Sequence, residues 1–301
     1  MTQQLPETAC TLGLAGAVNA RDLGGYRTGD GRVLKHGTVL RADALNRLTD
    51  EDLTALAVHG LRQIVDLRSL DEVREAGPDR VPGLPTAEIA EAELSDTAVT
   101  VERLTDDGIT LHHLPVFAAD FDIYVALRNA LADRDADKQH ALLGDGKAER
   151  MMTGLYRWFV TDALARQRFA TVVRLLAEPG GTPLLFHCSA GKDRTGWTAA
   201  LVLTALGVDR ATVFEDYLLT NERTAALIDH VVETFYSRGL MKDPTLLLPV
   251  FRADRGYLEA AFAEVEASWA GFDKFWQDGL GLDDEVLEGL RTNLLDGPAA
   301  V

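Results

Sequence analysis

"LLFHCSAGKDRTGWTAALVLTALG", residues 184–207, sets an apolar run, a tight polar knot and a second apolar run in succession. Leu184, Leu185 and Phe186 read as a buried strand, within a "PLLFHC" segment, and the run from Trp197 to Val208 reads as a buried helix. Between them stand Cys188, five further residues, Arg194 and Thr195. Small Ser189, Ala190 and Gly191 let the backbone curl closely, so successive amides can point inward at an anion over the helix N-terminus. Arg194 adds a planar fork suited to two oxygens of that anion. A strand feeding a helix through such a loop is the building unit of an α/β layer.

The chain to either side continues the alternation. Residues 19–47 contain the turn signal Asp30-Gly31 between two short runs, which predicts a β-hairpin. "LTDEDLTALAVHG" predicts a helix capped by Thr49, with acidic residues in its first turn and Leu53, Leu56 and Ala57 at helical spacing. The strand "RQIVDL", Arg62 to Leu67, follows. From Asp71 to Gly108 the acidic, proline-containing chain reads as loops with one edge strand, and "ITLHHLPV" reads as another strand. The segment 117–150 is helix-compatible but broken by "LLGDGK", an excursion from the core. A helix from Met151 to Ala177 closes at Pro179, and 208–296 reads as helices. The expected fold is therefore α/β, a central and largely parallel sheet flanked by helices. With no linker in view, residues 1–301 are expected to form one domain.

Composition narrows the function. Of 301 residues, 47% are hydrophobic, ample for a large core. The longest apolar run is far shorter than the roughly 20 residues of a membrane span. Its first residues lack the basic start of a signal peptide, so a cytoplasmic location is expected, with export without a signal peptide left open. The formal charge of −17 argues against nucleic acid and anionic membranes, so an anionic substrate requires a focused pocket. Cys10 and Cys188 cannot form a disulfide framework, have no metal-ligand spacing around them, and Cys10 reads as a bystander.

The positive surroundings of the knot favour thiolate over thiol, which makes Cys188 a nucleophile at neutral pH. In-line attack on a phosphate ester would give a phosphocysteine that water then hydrolyses. Thr195 could donate to the departing sulfur, and His187 could orient the loop from behind. A lone cysteine at a strand end is usually a small buried hydrophobe. His187, Gly191 and the Thr195-Gly196 pair, all in strand-loop-helix context, favour chemistry instead.

"HCSAGKDRTG" resembles the signature loop of the cysteine-dependent protein tyrosine phosphatase superfamily. With "NARDLGG" near the start and "IVDLRS" between, the chain is similar to the bacterial tyrosine-protein phosphatase family typified by the secreted mycobacterial phosphatase B. The resemblance implies a phosphatase-type α/β fold and phosphomonoester hydrolysis without metal or organic cofactor. It implies a Cys-x5-Arg loop, Cys188 to Arg194, that binds substrate through Ser189, Ala190, Gly191, Lys192, Asp193, Arg194 and Thr195. It also implies broad specificity across phosphotyrosine, phosphoserine, phosphothreonine and phosphoinositides, and a helical lid, for which 117–150 is the natural place. A phosphorylated protein or a phosphoinositide is then the partner; the sequence sets no oligomeric state.

An ester's leaving oxygen needs a proton, an alkyl alcohol more than a phenol. The sequence has no Trp-Pro-Asp, the usual acid loop. Asp193 is thus the first candidate acid, since a carboxyl beside a dianion holds its proton more tightly; family resemblance supports the role. Its alternative is to pair with a base or cap the helix, and Asp120 and Asp122 in "AADFD" are the rivals. Lys192 either reads a second phosphate or neutralises Asp193. Asp66 either shapes the pocket or pairs with Arg68. Asn19, Arg21 and Asp22 are expected to form a hydrogen-bonded motif without a catalytic step, and adjacent His112 and His113 to face opposite sides of a strand. A binding module that keeps the cradle but has lost catalysis is the competing class; it should lack the nucleophile or the arginine, and both are present.

Overall fold

The computed structural model describes residues 11–84, 101–116, 132 and 134–297. Chain order opens with β1 (Arg21–Asp22), β2 (Val33–Leu34) and β3 (Val39–Ala42). The hairpin turn forms where Asp30-Gly31 predicts it: Arg27 bridges Val33, and the Thr28 amide donates to the Arg32 carbonyl. α1 (Asp50–Ala57) begins at Thr49, whose hydroxyl accepts from the Asp52 amide while the Asp52 carboxylate accepts from the Thr49 amide. β4 (Gln63–Asp66) follows.

Where loop was expected, α2 (Leu70–Ala76) stands, its start fixed by a second capping box between Ser69 and Glu72. The nearby prolines obscure that Ser-x-x-Glu signal but lie beyond the helix, which ends at Gly77. The expected edge strand is β5 (Val101–Leu104), and β6 is Thr110–His113. Of the segment 117–150, the part from 117 to 131 lies outside the described residues, as do Asp120, Asp122 and Cys10. The described part holds α3 (Ala136–Leu143), tied to the C-terminal region by Gln139, whose amide donates to the Leu240 carbonyl.

The single helix expected from Met151 to Ala177 is two, α4 (Lys147–Thr161) and α5 (Ala163–Ala177). Asp162 breaks it: with extended backbone its carboxylate accepts from the Ala165 amide, ending one helix and capping the next. The remaining strands and longer helices are β7 (Leu184–His187), α6 (Asp193–Ala205), α7 (Arg210–Ser237), α8 (Arg255–Trp269), α9 (Asp284–Leu294) and β8 (Leu295–Asp296).

The main sheet runs β1-β3-β7-β4-β6-β5. Its inner neighbours β3, β7, β4 and β6 are parallel, and antiparallel β1 and β5 form its edges. β8 pairs with β2, returning the C-terminus to the N-terminal hairpin. Alternation along each strand divides the core. Val39, Val65, Leu184 and Phe186 face the layer of α4 to α6, α8 and α9, while Leu40, Ile64 and Leu185 face Leu45, Leu56 and Leu61 on the other side. Trp197 on α6 is fully buried against Phe262 and Phe275. Among the described residues no helix is long and apolar enough to cross a membrane.

Candidate active site

All four parallel strands deliver their C-terminal ends to one edge of the sheet, the usual place for ligands in such layers. β7 ends at His187 and opens into Cys188, which is buried, and the loop that leads to α6. Three neighbours take the loop's carbonyls from outside. The Ala44 amide donates to Ser189 O at 3.2 Å, Asn19 Nδ2 donates to Ala190 O and Gly191 O at 3.0 Å each, and Arg41 donates to Gly191 O at 2.8 Å. Asn19 and Arg41 are themselves fixed: Arg21 donates to Asn19 Oδ1 at 2.6 Å, and Arg21 and Arg41 clasp the buried carboxylate of Asp216 on α7 at 3.0 and 2.5 Å. The expected hydrogen-bonded role of Asn19 and Arg21 is thereby given its purpose, and Asp22 accepts from the Gly24 and Gly37 amides.

Arg194 stands in the first turn of α6. Its two terminal nitrogens donate to the two oxygens of Glu72 at 2.6 Å each, and one also reaches the Leu67 carbonyl at 3.2 Å. Ser189 Oγ donates to the same Glu72 carboxylate at 2.5 Å. Burial pushes the Glu72 carboxyl up, but the Arg194 charge and these hydrogen bonds outweigh it and pull it down to about 2. Loop and guanidinium are thus bolted to α2 through one carboxylate that sequence reading missed.

Lys192 and Asp193 turn into the helical layer. Lys192 is buried, its ammonium donating to the carbonyls of Val250 and Arg252 and lying 3.4 Å from Asp193. Burial draws the ammonium below its usual range, against the pull of Asp193. Asp193 accepts from Tyr156 Oη at 2.9 Å, and Tyr156 meets Tyr217 Oη at 2.7 Å. Of the two alternatives for Asp193, the pairing with a base is present, joined to a tyrosine network.

Asp66 is held bidentate by Arg68, whose Nε donates to Oδ1 at 3.0 Å and whose Nη2 donates to Oδ2 at 2.8 Å. Burial works against its charge, but Arg68 and His187 hold its carboxyl well below the usual carboxylate range. Arg68 also bridges to Asp79 at 2.8 Å, and Asp79 lies 3.0 Å from His187 Nε2. Donor atoms of Asp66, Asp79 and His187 lie within 4.8 Å of one another, with the Arg68 guanidinium already on both carboxylates. His187 is fully buried; desolvation opposes its charge, but Asp79 and Asp66 raise its pKa above the usual imidazole value. His112 meets Gln63 at 2.7 Å and His113 meets the Arg68 carbonyl at 2.9 Å, both structural contacts. The buried Thr195 hydroxyl has no hydrogen-bond partner among the described residues.

A cavity of about 570 Å³ opens beside the loop, lined by Ser189, Ala190 and Lys192, by Asp43 after β3, and by an apolar wall that includes Ile228 and Phe251. Asp43 accepts from the Asn19 amide at 3.0 Å, and burial pushes its carboxyl up to about 6 against the pull of backbone amides. No sequence motif marked it.

A sequence profile described as "Tyrosine phosphatase family" matches residues 12–296. The chain is 34% identical to the "Triple specificity protein phosphatase PtpB" of Mycobacterium tuberculosis, over 94% of this chain and 98% of that protein. It is 29% identical to a "Putative tyrosine-protein phosphatase" of Cupriavidus necator, over 90% of this chain and 84% of the other. A "Tyrosine-protein phosphatase" of Nostoc commune is 27% identical over 61% of this chain and half of its own length.

Proposed function

The chain belongs to the tyrosine phosphatase family, and from that premise we propose that it hydrolyses phosphomonoesters through a phosphocysteine formed on Cys188. One observation carries the reading: the carbonyls of Ser189, Ala190 and Gly191 are all taken from outside the loop. The amides between them are then left to face an anion above the α6 N-terminus, with Arg194 at its edge. The Cys188 thiolate attacks phosphorus; the S–P bond forms as the P–O bond breaks, and the leaving oxygen takes a proton. Water next attacks the phosphocysteine and the thiolate departs. The buried Thr195 hydroxyl, without a hydrogen-bond partner among the described residues, supports its donation to that sulfur. Asp193, the first candidate proton donor, serves in this scheme only by exchanging the Tyr156 hydroxyl for the substrate.

The substrate class is phosphotyrosine, with phosphoserine and phosphothreonine alongside it; the words "triple specificity" in the name of the Mycobacterium tuberculosis relative support this breadth. Phosphoinositides are the second reading; Lys192 lines the cavity, and reading a second phosphate would require its ammonium to leave the Val250 and Arg252 carbonyls. Phosphate release from phosphotyrosine, phosphoserine and phosphoinositide substrates tests both. Cys188→Ser should abolish every activity, and a variant that kept its rate would overturn the mechanism. A loss in Lys192→Met confined to phosphoinositides would establish the second reading.

A further inference from the structure

Departure of an aryl or alkyl oxygen needs an acid that faces the substrate side of the loop and holds its proton near neutral pH. Two described carboxylates, Asp193 and Asp43, adjoin the loop, and their contacts differ. Asp193 is turned into the helical layer, onto the Tyr156 hydroxyl and beside the Lys192 ammonium. Asp43 lines the cavity together with Ser189 and Ala190, the residues that follow Cys188.

Its placement is rigid. Asp43 continues β3, whose last residue, Ala42, pairs in register with His187 immediately before the nucleophile. The next residue, Ala44, donates to Ser189 O, and Asp43 accepts from the backbone amide of Asn19, the residue whose side-chain amide holds Ala190 and Gly191. One carboxylate is thus fixed to the same scaffold as the loop while opening on the cavity.

We propose that Asp43 is the proton donor to the leaving oxygen, an inference that rests on the phosphocysteine reading. As the Cys188 S–P bond forms and the P–O bond breaks, the electron pair stays on the leaving oxygen, which takes the Asp43 proton. The resulting carboxylate then accepts a proton from the water that attacks the phosphocysteine, and both groups return to their starting states. His187 on β7 and the backbone amides favour the carboxylate, Arg47 and Lys192 line the same cavity, and Asp43 forms no ion pair among the described residues. Burial already favours its protonated form, and an incoming dianion favours it further.

The test is a leaving-group series on the full-length chain, from 2,4-dinitrophenyl phosphate to phenyl phosphate, with pH profiles of kcat. A phenolate, whose conjugate acid has a pKa of about 10, needs the proton far more than an activated phenolate does. Asp43→Asn should lose about 100-fold or more with phenyl phosphate and at most about tenfold with the dinitrophenyl ester, and should lose the basic limb of its pH profile. Asp43→Glu should restore part of the loss. Asp193→Asn should lower rates without steepening the dependence on leaving group. Alkylation of Cys188 by iodoacetate at the wild-type rate in Asp43→Asn verifies an intact loop. Equal losses on both esters, a retained basic limb, or a steepened series in Asp193→Asn instead would overturn the assignment. A Cys188→Ser variant that still turned over would overturn the phosphocysteine reading itself.

Discussion

Glu72 holds Arg194 by both terminal nitrogens at 2.6 Å, from a helix far from the loop in sequence. The clamp fixes the plane of the guanidinium before any phosphate arrives, so its worth is orientation as well as charge. Glu72→Gln keeps the shape and removes the charge. Removing one partner of a buried pair costs about 3 kcal/mol of stability, and misaligning the fork should lower kcat/KM by at least about tenfold. The pH dependence follows from the Glu72 carboxyl, which lies at about 2 in the folded chain against 4.5 ordinarily. A lowered folded value stabilises above the unfolded one, so this contribution is whole above about pH 4.5 and fades as pH falls toward 2. Acid unfolding monitored by circular dichroism should be less steep in Glu72→Gln over that window.

Asn19 carries more than its own two hydrogen bonds, because it passes the grip of Arg21 on to the loop. Asn19→Ala leaves the carbonyls of Ala190 and Gly191 without this donor. We expect about 1–3 kcal/mol of destabilisation and a fall in kcat for every ester, without change in leaving-group dependence. Thermal unfolding and the same aryl phosphate series measure both. A selective loss on poor leaving groups would instead place Asn19 in proton transfer.

The reactive loop was legible because Cys188, Gly191 and Arg194 are contiguous and their order alone implies strand, cradle and helix. Thr49 and the Asp30-Gly31 turn were legible for the same reason, since capping and turn chemistry act within a few residues. Glu72 was half legible: Ser69-x-x-Glu72 announces a helix start, but nothing local says that its carboxylate also reaches Arg194. Asp216 could not be read at all, because its partners Arg21 and Arg41 meet it only after the sheet and α7 assemble. Asp162 shows the opposite failure. A strong helical period ran through it, and one side-chain hydrogen bond to the Ala165 amide ended the helix. Asp43 was invisible for a further reason, since a single aspartate acquires its character from burial and a cavity.

His187 should impose an alkaline signature on stability. Its pKa is raised in the folded chain by Asp79 and Asp66 against the cost of burial. A raised folded value stabilises below the unfolded imidazole value of about 6.5 and is lost as pH climbs through the folded one. Asp79→Asn removes the nearer carboxylate, 3.0 Å from Nε2. The stability gap between wild type and Asp79→Asn, about 1–3 kcal/mol at pH 5.5, should narrow as pH rises to 9. What remains at high pH measures the contacts of Asp79 with Arg68 and the Leu45 amide, which do not titrate there. A gap constant across the range would show that His187 is not charged.

Gly191 is the position where the cradle tolerates no side chain. Its φ is +63°, and an added Cβ would lie 2.6 Å from the Ala42 carbonyl oxygen and 2.7 Å from the Asp43 amide. The left-handed backbone alone costs an alanine about 1–2 kcal/mol. The obstacle is backbone of β3, which pairs with β7 on one side and β1 on the other and cannot retreat. The loop must therefore move, and with it the amides around Cys188; a shift of about 1 Å at a reacting centre is worth about 100-fold. Gly191→Ala should keep the secondary structure by circular dichroism, lose about 100-fold or more in kcat/KM on all esters, and alkylate at Cys188 at an altered rate. A variant with near wild-type turnover would mean that the loop's close approach to β3 is not needed to hold the anion.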